Sequence, residues 1–300
     1  MGPVDRRKTK YIGLADNIFR LYKHNFNLYF KISLVFFLVP IFIEKLVEMR
    51  LPIMPDIADI MGAPFAGPFG PMGQEPSFDE DAFGILCCSM IFVSIINFIL
   101  HAMYAGPVIV ASSHLAFDKE ISLREALRIR GRTYYYLVMA TIGYTFTLSL
   151  VYLGSTLIAL IPCGCIFFFV PLVLLPYVAV LYSLYMPAIV LEGRRPRESV
   201  GRSAKLVRGW WWLVFRVIAG VLLIQTILTI SSEIAFRGLG DLMVSWSSDL
   251  EIFSQAFSAA GLTLVYMFVR PILFITLTLL YYELRVKKEA FDLEMMIENF

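Results

Sequence analysis

Charged residues, histidine and cysteine are scarce in this sequence of 300 residues, and each shortage excludes a class of protein. Only 17% of the residues are charged, whereas a soluble chain carries roughly a quarter, so a soluble globular protein is excluded. Four cysteines are too few for a disulfide framework, and together with three scattered histidines they show no zinc-site spacing. Nucleophile-elbow, Walker and His-Glu-x-x-His motifs are lacking too. We therefore expect no enzyme, no bound metal and no cofactor.

Long apolar runs make up most of the chain, with 58% hydrophobic residues and a mean hydropathy of +0.72. A membrane-spanning helix needs ~20 mainly apolar residues. The runs predict one all-α integral membrane domain over residues 1–300 with six transmembrane helices. These spans are predicted at residues 28–47, 83–111, 134–161, 167–191, 212–236 and 258–282.

The segments between the spans differ in character. Residues 1–27 predict a cytoplasmic amphipathic helix, and residues 283–300 a cytoplasmic tail. Ser122 and Glu125 have capping-box spacing at the start of a short basic helix. A loop of some twenty residues is expected between the fifth and sixth spans.

The segment 48–82 is rich in proline and glycine and is predicted to be an extracytoplasmic loop. It is either a plug, lid or docking loop for a partner, or a loop lying on the membrane surface. Pairing of Cys163 or Cys165 with Cys87 or Cys88 at the same side of the membrane is left open.

The positive charges indicate the orientation. Of the 26 Lys and Arg residues, 22 lie before residue 32, within 112–133 or 192–216, or after residue 282. Loops on the cytoplasmic side carry such an excess of Lys and Arg. We therefore predict a multi-pass protein of the cytoplasmic, or inner, membrane with both termini in the cytoplasm.

A basic and aromatic segment at residues 205–217 recurs at residues 20–32, at an offset of 185, and more loosely at 129–138, at an offset of 76. The recurrence predicts three parallel helical-hairpin repeats, each preceded by a cytoplasmic amphipathic interfacial helix. Placement of aromatic and cationic residues at interfaces, common to membrane proteins, is the alternative explanation.

The same segments supply candidate residues for binding lipid headgroups, at ~1 kcal/mol for each cation near the surface. These are Arg20, Lys23, Lys31, Arg130, Arg132, Lys205, Arg208, Trp210, Trp211, Trp212 and Arg216. Charges that merely set the topology would explain the cations equally well.

A polar layer is predicted near the middle of the membrane. At ~1.5 Å per residue, Arg270 lies ~18 Å, Gln225 ~20 Å and His101 ~15 Å from the inner ends of their spans, and Tyr144 and Tyr182 come near the same depth. A charge there costs at least ~2.5–3.5 kcal/mol, so Arg270 faces protein, water or an anion. The layer is either a binding site for an anion or a structural hydrogen-bonded cluster.

Four segments resemble a prokaryotic six-span family related to the membrane domain found beside bacterial glycerophosphoryl diester phosphodiesterases. They are Ile12–Phe26, Pro187–Gly193, Ser203–Trp212 and Leu280–Asp292. The resemblance covers most of the chain except residues 48–83, and it implies the fold and a membrane location. It carries over neither catalytic residues nor a biochemical role.

The sequence therefore favours a non-enzymatic scaffold or accessory protein that binds lipid or a partner. Membrane lipids, anionic ones included, and a membrane-protein partner are expected to bind, and nucleic acid is not. The alternative is a transporter or flippase-like protein that takes an anionic headgroup or solute through the polar layer. A lipid-modifying enzyme is a third, weaker hypothesis.

Overall fold

The structure is a computed structural model that describes residues 16–50, 80–159, 169–247 and 250–298. In these ranges the chain forms helices joined by short connections and contains no strand. The helices are α1 at residues 16–24, α2 Phe26–Arg50, α3 Glu80–Leu115, α4 Leu123–Leu127, α5 Gly131–Ala159, α6 Phe169–Tyr182, α7 Tyr185–Glu192, α8 Pro196–Val207, α9 Trp211–Trp246 and α10 Glu251–Glu298. The predicted all-helical class is thus confirmed for this part of the chain.

Five segments of the described chain are long and apolar enough to cross a membrane. They are Ser94–Leu115, Gly131–Leu157, Pro171–Glu192, Trp211–Trp246 and Ala256–Glu289. The predicted first span falls in α2, where the described apolar stretch is Phe26–Leu38, so a sixth span stays a prediction. Residues 51–79 of the predicted outer loop and the four cysteine side chains lie outside what the structure describes.

The chain divides into two compact units, residues 1–34 with 102–300, and residues 35–101. In the smaller unit, Ile91, Phe92 and Ile95 on α3 are exposed, as expected for a helix surrounded by lipid. In the larger unit, buried residues concentrate within 102–113, 180–189 and 267–284. The core therefore lies at the ends of the spans that adjoin the basic segments.

The α9–α10 hairpin corrects one prediction. A connection of some twenty residues was expected after residue 236, but α9 continues to Trp246 and α10 begins at Glu251. The charged residues beyond 236 suggested a loop, yet a helix accommodates them. Arg237, for example, pairs with Glu233 one turn earlier at 2.6 Å.

The predicted fourth span is broken between α6 and α7 at Ser183 and Leu184. Pro187 has no N–H to bond the Ser183 carbonyl four residues back, so the regular helix is interrupted at this turn. Ser203 of α8 bonds both sides of the break: its hydroxyl donates to the carbonyl of Leu181 at 2.9 Å and accepts from the Leu184 N–H at 3.0 Å. A side chain thus satisfies backbone groups that lipid could not.

A local sequence signal is confirmed at the short helix α4. Ser122 caps that helix, and Glu125 bonds back to the Ser122 N–H at 2.9 Å, so the predicted capping box is confirmed. Its hydrogen bonds from the Ser122 backbone and side chain lower the pKa of Glu125. The carboxylate is therefore well suited to the start of the helix.

Candidate functional site

Helix α1 and the first turns of α2 are anchored on α10 at Phe268. The rings of Phe26 and Phe30 stack on the Phe268 ring, with centroids 5.3 and 5.2 Å away. The Tyr22 hydroxyl donates to the Phe268 carbonyl at 2.7 Å. Burial raises the pKa of Tyr22 to about 12, so this hydroxyl stays a protonated donor at neutral pH.

Pro271 lies inside α10 and cannot donate a backbone hydrogen bond to the Met267 carbonyl. A proline inside a helix removes one backbone bond and clashes with the preceding turn, which opens the helix locally. Two carbonyls of that turn take side-chain donors, Phe268 from Tyr22 and Val269 from Gln225. Side chains of two other helices therefore hold this turn of α10.

A groove of about 760 Å³ lies beside this anchor, between α1 with the start of α2 and the pair α9 and α10. Its lining is apolar except for two cations and the Tyr22 phenol. The lining residues are Phe19, Arg20, Tyr22, Lys23, Phe26, Leu228, Phe268, Val269 and Ile272. The groove is hereafter called the α1–α10 groove.

Two walls of the α1–α10 groove are open to their surroundings. Phe19 is 53% and Leu228 45% exposed, although both are large apolar side chains in contact with the cavity. Arg20 and Lys23 are exposed beside them, and the Arg20 guanidinium donates to the Asn17 side-chain oxygen at 3.2 Å. The arrangement offers an apolar channel with positive charge at one side.

The tryptophans predicted to lie at the interface have three different environments. Trp211 donates its indole N–H to the Tyr177 carbonyl at 3.2 Å, which ties α9 to α6. Trp210 lies under the Lys287 ammonium, 4.8 Å from the ring centroid. Trp212 is 68% exposed and is the one of the three best placed to contact lipid.

All eight cations predicted at the interface are exposed: Arg20, Lys23, Lys31, Arg130, Arg132, Lys205, Arg208 and Arg216. Arg132 donates to the Tyr136 hydroxyl at 2.8 Å, and Arg216 donates to a carbonyl of its own helix. Of the eight, the structure places Arg20 and Lys23 on a cavity.

Two residues of the predicted polar layer, Gln225 of α9 and Arg270 of α10, have contacts on neighbouring residues of α10. The Gln225 amide donates to the Val269 carbonyl at 2.7 Å, next to Arg270 in the chain. The Arg270 guanidinium lies over the Tyr266 ring, 5.5 Å from its centroid. A cation over an aromatic face is stabilised at low polarity, so both residues take part in packing within the hairpin.

The other three residues of that layer lie elsewhere. The Tyr144 hydroxyl donates to the Ala179 carbonyl at 3.3 Å, joining α5 to α6. Tyr182 is the half-buried last residue of α6, and His101 belongs to the smaller compact unit. A single layer formed by all five residues stays a prediction.

A charged cluster that the sequence did not predict joins α7, α8 and α10. Arg202 bonds to Glu192 at 3.0 Å and also to Glu289. The Tyr281 hydroxyl donates to Glu192 as well, and Arg285 bonds to Glu289 at 2.7 Å. The paired charges lie 10 and 87 residues apart in the chain.

The Arg202 cluster stabilises the docking of α8. Burial alone would lower the pKa of Arg202, but its contacts with Glu289, Tyr281 and Glu192 raise the pKa above the ordinary value. The guanidinium is therefore permanently charged. In the sequence, the only sign of this cluster was the presence of carboxylates in otherwise basic segments. The sequence does not show which cation each carboxylate contacts.

The same kind of hydroxyl pair joins two pairs of helices within the larger unit. Ser33 of α2 lies 2.9 Å from the Tyr104 hydroxyl of α3, and Thr141 of α5 lies 3.0 Å from the Tyr185 hydroxyl of α7. Ser33 and Thr141 each donate to the carbonyl four residues earlier, so the tyrosines are the donors within the pairs. Each tyrosine precedes a proline by two or three residues.

Comparisons of the chain with protein-family models, with curated proteins and with solved structures found no match. The resemblance to the six-span family therefore stays a prediction, and the functional argument rests on the groove and its residues.

Proposed function

We propose that the protein is a non-enzymatic, multi-pass protein of the cytoplasmic membrane that holds a membrane lipid, with one acyl chain in the α1–α10 groove. The observation that carries this proposal is the cavity of about 760 Å³ with apolar walls between membrane-associated helices. Binding sites for small molecules commonly measure ~300–1,000 Å³ and combine apolar walls with a few polar groups.

An acyl chain is the expected occupant because the walls of the groove are apolar and the helices that form them are surrounded by lipid. Leu228 belongs to a helix of sufficient length and apolar character to cross the membrane, and its exposed side faces whatever surrounds that helix. In a bilayer the surrounding molecules are lipid chains. An apolar groove open to hydrocarbon fills with a chain rather than with water, since water would find few polar partners there.

The proposed topology has six spans in three parallel hairpins, with both termini in the cytoplasm. The distribution of Lys and Arg supports the orientation. The hydroxyl pairs Ser33–Tyr104 and Thr141–Tyr185 support the repetition, because two hairpins join their helices in the same way. In this arrangement α1, which carries Arg20 and Lys23, comes before the first span on the cytoplasmic side.

Transport of an anionic solute or headgroup is the alternative function, and one observation bears on it. The groove wall reaches Val269, the neighbour of Arg270. If Arg270 serves transport, Arg270→Gln should abolish uptake in proteoliposomes while the protein stays folded. If Arg270 serves packing, the same substitution should lower expression and thermal stability together.

The lipid-binding proposal is tested by filling the groove. Leu228→Trp places a larger side chain in the cavity, and Leu223→Trp is the matched control on the same helix at a position that is 62% exposed. After mild delipidation, native mass spectrometry should show several-fold less bound lipid for Leu228→Trp than for the control. Equal lipid retention by both variants would refute the proposal.

A further inference from the structure

We propose that the lipid in the α1–α10 groove is anionic and that Arg20 and Lys23 together bind its phosphate. This inference rests on the proposed lipid-binding function and assigns the chemical class of the ligand. The apolar stems of both cations line the groove together with apolar side chains, and no carboxylate belongs to the lining. A zwitterionic or neutral headgroup would leave this positive charge without a complement.

The spacing of the two cations suits a single phosphate. Arg20 and Lys23 are three residues apart on α1, so they project from the same face of the helix. Arg20 is also held by its bond to Asn17, a neutral acceptor that leaves the positive charge uncompensated. A guanidinium offers a planar fork to phosphate oxygens, and an ammonium adds a point charge.

Within the described chain, some cations of the larger unit are neutralised by carboxylates, whereas Arg20 and Lys23, like several other exposed cations, are not. Arg194, Arg202, Arg285 and Lys287 each form an ion pair with a carboxylate. None of the ion pairs among the described residues involves Arg20 or Lys23. These two cations are therefore available to an external anion at the side of an apolar groove.

Their place in the chain is just before the first apolar stretch. Lys23 lies about one turn and Arg20 nearly two turns before Phe26, where α2 and its apolar stretch begin. Long cationic side chains at such a boundary keep their apolar stems along the protein and their charges at the level of the headgroups. The acyl chain of the same lipid then extends along Leu228 and Ile272.

The test compares two double variants of the full-length protein. Arg20→Gln with Lys23→Gln removes the proposed phosphate ligands, and Arg124→Gln with Arg128→Gln removes the same charge from exposed positions on or next to α4. Each purified, delipidated protein is titrated with phosphatidylglycerol or phosphatidylcholine of identical acyl chains, and bound lipid is counted by native mass spectrometry. Two cations near the surface predict a loss of roughly 30-fold in phosphatidylglycerol affinity.

The expected result is a strong preference of the unmodified protein for phosphatidylglycerol, kept by the α4 double variant and lost by Arg20→Gln with Lys23→Gln. Equal affinity of the unmodified protein for the two lipids, blocked in both cases by Leu228→Trp, would overturn the phosphate inference alone. Equal affinity for the two lipids that Leu228→Trp does not change would overturn the groove as the lipid-binding site.

Inorganic phosphate separates a lipid headgroup from a free anion. Phosphate added at constant ionic strength should not displace phosphatidylglycerol, because it cannot occupy the apolar part of the groove. Full displacement by phosphate at concentrations comparable to the lipid would show a site for free anions and would overturn the assignment to a lipid.

Discussion

Replacing Ser203 with alanine should destabilise the protein by about 2 kcal/mol, because the Ser203 hydroxyl satisfies the helix break between α6 and α7. It accepts from the Leu184 N–H at 3.0 Å and donates to the Leu181 carbonyl at 2.9 Å. Ser203 and Leu184 have 0% exposure, so water cannot take the place of the hydroxyl. A buried donor left without a partner costs about 1–3 kcal/mol.

Ser199→Ala is the matched control. Ser199 lies on the same helix and is also fully buried, but its hydroxyl donates only to the Pro196 carbonyl of its own first turn. Its removal leaves no backbone N–H without a partner, and a smaller effect is expected.

Unfolding of both variants can be followed in mixed micelles as the fraction of denaturing detergent rises. Tryptophan fluorescence is a suitable probe, since Trp210, Trp211 and Trp212 directly follow α8. Ser203→Ala should unfold at a clearly lower detergent fraction than Ser199→Ala. Free energies of unfolding within about 0.5 kcal/mol of each other would refute the assignment of Ser203 to the break.

Gly261→Ala should lower the unfolding free energy by about 1–3 kcal/mol, because the added Cβ would collide with a phenylalanine ring of α9. The control is Gly220→Ala, whose Cβ meets nothing within 4 Å, and equal unfolding midpoints of the two variants would contradict this prediction. Arg202→Gln should loosen α8 and increase its proteolysis, because it removes the charged group of α8 that bonds both Glu192 of α7 and Glu289 of α10, while the exposed Arg197→Gln on α8 should not; the same cleavage rate for both would count against the cluster. Trp246 is 90% exposed at the end of α9, so a cysteine placed there by Trp246→Cys, in a chain without its native cysteines, should react with an impermeant maleimide added outside intact cells. Labelling only after the cells are permeabilised would reverse the proposed orientation.

Features that depend on neighbours in sequence could be predicted well. The capping box of Ser122 and Glu125 was confirmed because its partners are three residues apart and need no other part of the chain. The apolar runs likewise predicted helices, since lipid requires the backbone to satisfy its own hydrogen bonds. The same reasoning was wrong after residue 236, where it treated charged residues as a loop although α9 continues to Trp246.

Features that depend on distant contacts could not be predicted. Pro187 indicated a disturbed helix, but nothing in the sequence showed that Ser203 would bond the broken backbone. Arg202 was counted among cations that set the topology, although it pairs with two carboxylates. Gln225 and Arg270 were placed at similar depths by counting residues, yet counting could not show the bond from Gln225 to the neighbouring carbonyl.

By itself the sequence indicated a membrane environment and helical secondary structure, because hydropathy and helix periodicity can be recognised from neighbouring residues. It also placed Arg20 and Lys23 among eleven candidate residues for binding a headgroup. Only the tertiary structure placed these two cations on a cavity, whose other wall comes from residues 228–272, more than 200 positions away. A cavity is formed by the packing of separate helices, and the choice of which helices meet is decided by contacts such as Tyr22 with Phe268, which no local pattern reveals.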